Sequence, residues 1–228
     1  MKVAPEKNNS EAINLPLLAG LEALSTATLS DAMDELGIHC VVPNLFAQRV
    51  AQSRVAGFAL TAQFARVPHD DAAYRYGGGV GRPLEAVLQA MGPRDVVVLD
   101  LDGALDASAW GGLASRLAMG KGVRGAVING TCRDVEEIRG LGFPVWAVGT
   151  CPRRSRNEFT FGSLKEPVTI GGTEIANGDV IVADATGVVR VPAVAAVKVY
   201  ETALRIAQTE QKVLGDIVNG AGIDWDQV

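Results

Sequence analysis

The chain has 228 residues, 48% of them hydrophobic and 21% charged, and a formal net charge of −5. That length buries a full core without staples, the composition excludes a disordered chain, and the acidic balance excludes a broad basic footprint for nucleic acid. Cys40, Cys132 and Cys151 are odd in number and lack CxxC spacing, so neither a disulfide framework nor a structural zinc site is expected.

In chain order, residues 1–12 are expected to be a flexible tail, and they lack the apolar run of a signal peptide. "LSTATLSDAMDELGI" predicts a capped helix, with Ser or Thr at its start, Leu29, Met33 and Leu36 on one face, and Gly37 as the stop. "RVAGFALTAQFARV" predicts a strand, "PHDDAAYRYGGGVGRP" a loop, and "LEAVLQAM" a short helix ended by Gly92-Pro93.

An alternation follows. "DVVVLDLDG" predicts a buried strand ending near Asp100 to Gly103, "WGGLASRLAMGKG" a helix, "RGAVING" a strand, "CRDVEEIRGLG" a helix and "FPVWAVG" a strand. Such an order implies parallel pairing with right-handed crossovers. Beyond residue 160 the chain is β-rich, with turns at Gly171-Gly172, Asn177-Gly178 and Gly187, and it closes on the helix "AVAAVKVYETALRIAQTEQKVLGDI". The expected fold class is α/β, one domain over 1–228. No run is long and apolar enough to span a bilayer, so no membrane partner and a cytoplasmic location are expected.

Two predicted helix starts carry the candidate chemistry. Gly111-Gly112 opens one and Arg133-Asp134 the next, both beyond strand ends, where ligands gather in open α/β sheets. Free N–H groups at a helix start favour an anion, and glycines admit it close to the backbone. A carboxylate against the Gly112 and Leu113 amides, with Arg133 forking onto it, is a coherent arrangement. Asp134, Glu136 and Glu137 suit the helix dipole without any further role, whereas a cation at Arg133 opposes it and calls for an anion.

Other features are weaker. "GGGVGRP" fits neither GxGxxG nor a P-loop and reads as a loop that faces substrate, if at all, through Arg82. His69-Asp70-Asp71 reads as a polar turn, and His39 beside Cys40 has no visible partner. The Arg153-Arg154-Ser155-Arg156 run reads as a solvated loop that could still hold a small anion, and Asp102 as a loop cap within reach of a site.

On "STATLSDAMDELG", "VAGFALT", "WGGLASRLAMGKGVRGAVINGTCRDVEEIRGLGFPVWAVG" and "GDVIVADATGVVRVP", the chain resembles the RraA-like family. That family joins regulators of ribonuclease activity to divalent-metal-dependent 4-hydroxy-4-methyl-2-oxoglutarate (class II pyruvate) aldolases. The aldolase signature is an acid, twenty residues, Arg-Asp, two residues, then Glu or Asp. Arg133, Asp134 and Glu137 match it, while Gly112 stands where the aldolases carry the first acid.

The resemblance implies an RraA-like domain in β/β/α layers with a C-terminal helix. It implies a lyase that cleaves a small 2-oxo acid by retro-aldol chemistry or decarboxylation through a pyruvyl enolate. Asp134, with Glu137 and with Glu210 of a neighbouring subunit, would hold Mg²⁺ or Mn²⁺. The amides of Gly111, Gly112, Leu113 and Ala114 would seat the carboxylate, and Arg133 would stabilise the enolate. Assembly as a homotrimer or homohexamer is implied as well. The alternative is a non-catalytic regulatory or binding protein on the same scaffold, which Gly112 favours. With an aldolase, Asp102 would be the acid to stand in for it.

Overall fold

The computed structural model describes residues 13–48, 54–67, 83–155 and 158–219. The expected tail, His69-Asp70-Asp71, the glycine-rich stretch with Arg82, and Arg156 lie outside the described residues.

Two helices open the fold. α1 (Leu15–Ala23) starts at Asn14, whose side chain accepts from the Leu17 amide at 2.9 Å. α2 (Thr26–Glu35) starts at Ser25, whose hydroxyl oxygen accepts from the Thr28 amide at 3.0 Å. Each side chain satisfies an amide that the helix itself cannot. Leu29 and Met33 are fully buried, as their spacing predicts, and Gly37 ends the segment at φ +67°.

Short strands β1 (Val41–Val42) and β2 (Phe46–Ala47) precede the long β3 (Val55–Arg66). The alternation then runs α3 (Pro83–Ala90), β4 (Asp95–Trp110), α4 (Gly112–Gly120), β5 (Gly125–Cys132), α5 (Val135–Leu141) and β6 (Val145–Thr150). β7 (Phe159–Leu164), β8 (Val168–Ile170), β9 (Thr173–Ile175), β10 (Val180–Ala183) and β11 (Val188–Val191) lead to α6 (Ala196–Val218). The sheet order is β1-β11-β10-β3-β4-β5-β6-β2, with β7 also on β3, and β8 and β9 form a separate hairpin. The β3–β4, β4–β5 and β5–β6 pairs are parallel, as the alternation implies.

The two faces of the parallel strands are covered differently. Leu99, Leu101, Ile128 and Trp110 pack with Ile138 and Phe143 and with the apolar sides of α3 to α5. Val96, Val98, Val127 and Trp146 pack against Val168, Ile170 and Ile175 of the β8–β9 hairpin. This is the β/β/α layering. A third cluster joins Leu21, Leu29 and Met33 to Val180, Val182 and Val199, fixing α1, α2 and the first half of α6. Each fully buried side chain of this size contributes about 1.5–3 kcal/mol over its exposed state.

One predicted boundary is corrected. β4 does not end near Asp100 to Gly103 but continues to Trp110 through register shifts after Asp100, Ala104 and Ser108. Asp102 (φ +53°) and Gly103 (φ +68°) take left-handed backbone, the conformation of a turn, yet the strand resumes because Ala107, Ala109 and Trp110 are buried beyond it. Among the described residues no helix is long and apolar enough to cross a membrane.

Candidate active site

The correction to β4 builds the site. Because the strand reaches Trp110, and Trp110 pairs with Cys132 of β5, α4 and α5 start side by side at one end of the sheet. The Arg133 amide donates to the Trp110 carbonyl at 2.9 Å and locks the two exits together. Trp110 is buried, stacks on Phe143 at 6.1 Å between ring centroids, and donates from Nε1 to the Ser115 hydroxyl at 2.9 Å. Ser115 in turn donates to the Gly111 carbonyl at 3.1 Å. The first turn of α4 is therefore held from beneath by a buried chain of hydrogen bonds, the kind of support that fixes a binding surface.

Asp134 precedes α5 with left-handed backbone at φ +55°, ψ +40°, and its side chain does not cap its own helix. It crosses instead to α4, where Oδ2 accepts from the Gly112 amide at 3.2 Å. Arg133 Nε lies 3.3 Å from both Asp134 carboxylate oxygens. The anion that Arg133 calls for is thus its own neighbour. Both side chains remain more than a third exposed, so the pair stays open to solvent.

Glu137, on the first turn of α5, also leans toward α4. Its Oε1 accepts from Arg116 Nε at 2.7 Å, and a Cβ built on Gly112 would overlap its carboxylate. A Cβ built on Gly111 would fall 2.7 Å from Asp134 Oδ2. The two glycines leave the room that the two carboxylates take. In this structure the Glu137 carboxylate lies where a side chain at position 112 would begin, held by its exposed pair with Arg116.

With the Gly112 amide taken by Asp134, the amides of Leu113 and Ala114 are left at the start of α4 with no acceptor among the described residues. They are the helix's orphan donors and carry the positive end of its dipole. A cleft of about 250 Å³ lies at the ends of β5 and β6, bounded by Arg133, Asp134, Thr150 and Cys151. Burial pushes the Cys132 thiol beneath it up to about 11, so it stays protonated at neutral pH and is no nucleophile.

Several expected participants lie elsewhere. Asp102 sits at the β4 bulge, where its amide donates to Asp100 Oδ1 at 3.0 Å, and it does not line this cleft. Glu210 is exposed on α6 and, among the described residues, has no hydrogen bond or ion pair. Arg153 pairs with Glu158 and lies 4.0 Å from Asp106, in keeping with the loop reading of its run. Sequence reasoning missed Arg116, Ser115 and Thr150. Arg116 alone had a signal, since it lies four residues beyond Gly112 on a helix that faces two acids.

Among the described residues no group of three or more metal-ligating side chains converges. The donors at this site are two carboxylates, Asp134 against Gly111 and the Gly112 amide, and Glu137 against Gly112. An all-oxygen pair suits a hard divalent ion that keeps several waters and takes one or two carboxylates. The donor chemistry fits Mg²⁺ or Mn²⁺.

The family described as RraA-like, Aldolase/RraA, matches residues 26–190. Protein DlpA of Legionella pneumophila is 28% identical over 96% of this chain and 35% of its own length. A 4-hydroxy-4-methyl-2-oxoglutarate aldolase of Thermus thermophilus is 30% identical over 66% of this chain and 84% of its own. Streptomyces coelicolor RraAS2, described as an unusual member of the RNase ES inhibitor RraA family, superposes with a TM-score of 0.76 at 31% identity, covering 87% of this chain and 96% of that one. The matched stretch spans only 35%, 57% and 52% of three of the curated relatives.

Proposed function

We propose that this chain, which belongs to the RraA-like family, is a divalent-metal-dependent lyase that cleaves a small 2-oxo acid to a pyruvyl enolate. One observation carries the reading: Arg133, Asp134 and Glu137 converge on a helix start with two unused amides. Proteins named as aldolases among the relatives support the same class.

In this reading the Leu113 and Ala114 amides seat the substrate carboxylate, and Gly111 and Gly112 let it approach the backbone. Arg133 forks onto the 2-oxo oxygen. As the carbon–carbon bond breaks, its electron pair becomes the enolate and negative charge gathers on that oxygen. A well-placed donor there offsets about 3 kcal/mol of barrier. The substrate's hydroxyl gives up its proton to a nearby base and becomes the carbonyl of the departing fragment. Asp134, Glu137 and Glu210 of a neighbouring subunit would hold Mg²⁺ or Mn²⁺, which when bound supplies Lewis-acid polarisation of the 2-oxo group. Decarboxylation of oxaloacetate uses the same electron sink.

The second half of α6 supports a homotrimer or homohexamer. Val199 and Ala203 are buried in their own chain, while Leu214, Ile217 and Val218 are exposed at 58%, 39% and 85% beyond Glu210. Such a face suits a symmetric contact. A regulatory role without turnover is the second reading, favoured by the absent acid at Gly112 and by the likeness to RraAS2.

Exchange of the pyruvate methyl protons in D₂O, followed by NMR, separates the two. A lyase of this class exchanges them when Mg²⁺ is present, because it forms the enolate from either direction. Exchange at the buffer rate with and without Mg²⁺ contradicts it.

A further inference from the structure

Asp134 borders two surfaces. On one side its Oδ2 accepts from the Gly112 amide at 3.2 Å, at the start of α4. On the other it bounds, with Arg133, the cleft of about 250 Å³ at the ends of β5 and β6. Those are the carboxyl ends of two parallel strands, where α/β sheets hold ligands. With a water's share of liquid volume at about 30 Å³, the cleft has room for a fragment of a few carbon atoms.

Hydrogen bonds fix the wall that faces Arg133. Thr150, the last residue of β6, pairs in register with Cys132, the last of β5. The Cys151 amide donates to the Cys132 carbonyl at 3.0 Å, and the Cys151 carbonyl accepts from the buried Ser108 hydroxyl at 2.6 Å. The Ser108 amide donates to the Arg153 carbonyl at 2.8 Å, so β4 grips the chain on both sides of Pro152. On this wall Thr150 is exposed, and its hydroxyl has no partner among the described residues. Val135 and Pro152 complete the lining with apolar surface.

Resting on the lyase reading above, we infer that this cleft takes the fragment that departs when the carbon–carbon bond breaks, and that Thr150 is its specificity-determining residue. With the substrate carboxylate at α4 and the 2-oxo oxygen at Arg133, the rest of the substrate passes Arg133 into the cleft. The Thr150 hydroxyl donates to the oxygen on the fourth carbon. That oxygen loses its proton to a base and becomes a carbonyl. The bond between the third and fourth carbons breaks, and its electron pair passes into the enolate.

Two reactions of the full chain with Mg²⁺ test it. Cleavage of 4-hydroxy-4-methyl-2-oxoglutarate fills the cleft, whereas exchange of the pyruvate methyl protons in D₂O leaves it empty. Thr150→Val keeps the shape of the side chain and removes the hydroxyl. It should lower the ratio of cleavage kcat/KM to exchange about three- to tenfold, the scale of one neutral hydrogen bond. Thr150→Trp fills the cleft and should lower that ratio further. Both substitutions are at an exposed strand end, so Tm should hold. Cleavage and exchange that fall together show a merely structural role and overturn the inference. So does a ratio that Thr150→Trp leaves unchanged, or a wild type that exchanges without cleaving. A wild type that does not exchange contradicts the lyase reading itself, and the cleft's role falls with it.

Discussion

Glu137 occupies the space that any side chain at position 112 would need, and Arg116 holds it there from the outer side at 2.7 Å. Gly112, which departs from the signature's first acid, and Glu137, which completes the signature, therefore share one space. The site has two carboxylates, Asp134 and Glu137, around a bare backbone.

It follows that Gly112→Asp does not simply add a third acid. The new side chain must push Glu137 out of its pair with Arg116, and because that pair is exposed the displacement costs under about 1 kcal/mol. Mn²⁺ titration should give Gly112→Asp an affinity close to wild type. Glu137→Ala should bind Mn²⁺ about tenfold more weakly, as loss of a supporting carboxylate does. Combining the two should recover much of that loss, since the introduced aspartate then has room. An additive gain from Gly112→Asp alone contradicts the shared-space account.

Asp134 combines its proposed metal-binding role with left-handed backbone, and the two can be separated. At φ +55°, glycine relieves the backbone while removing the carboxylate. Asp134→Gly should keep its Tm, Asp134→Ala should lose about 1 kcal/mol of stability to the left-handed backbone, and both should lose their response to Mg²⁺. Thermal unfolding beside an activity titration reads both effects. A metal response that survives in Asp134→Gly removes Asp134 from the metal's ligands.

Arg133→Ala should lower kcat about 10²–10³-fold with little change in Tm, the scale of one donor to developing charge. Arg133→Lys should recover only part of the loss, because an ammonium cannot fork onto two oxygens. Steady-state kinetics on the same 2-oxo acid decides it, and full recovery by lysine would reduce Arg133 to a point charge.

Cys132 gives the fold an alkaline limit. Burial raises its thiol from 9.0 to about 11, so the unfolded chain releases this proton first and folding stability falls as pH climbs from 9 through 11. The full shift is worth about 3 kcal/mol. Cys132→Ala lacks this dependence, so the stability advantage of wild type over the variant should shrink by up to that amount between pH 8 and pH 11 in urea unfolding. A constant difference would show that the thiol does not titrate with unfolding.

The parallel alternation was legible because each segment carried its own period and stop, from Ser25 and Gly37 around α2 to the buried run of β5. The end of β4 was not, because Asp102-Gly103 has turn chemistry and only the burial of Ala107, Ala109 and Trp110 in tertiary structure overrides it. Arg133 was legible as a cation against a helix dipole. Its partner was not fully so, since Asp134 serves the neighbouring helix and not its own. That Glu137 fills the space at Gly112 depends on two helices that meet only in the fold.

The most direct measurement is pyruvate release from 4-hydroxy-4-methyl-2-oxoglutarate and from oxaloacetate, in EDTA and after Mg²⁺ or Mn²⁺ is restored, with Arg133→Ala as the control. The account predicts release that EDTA stops, that either ion restores, and that the variant lacks. Release no faster than the spontaneous rate with both compounds and both ions would contradict it and leave the scaffold as a binding protein.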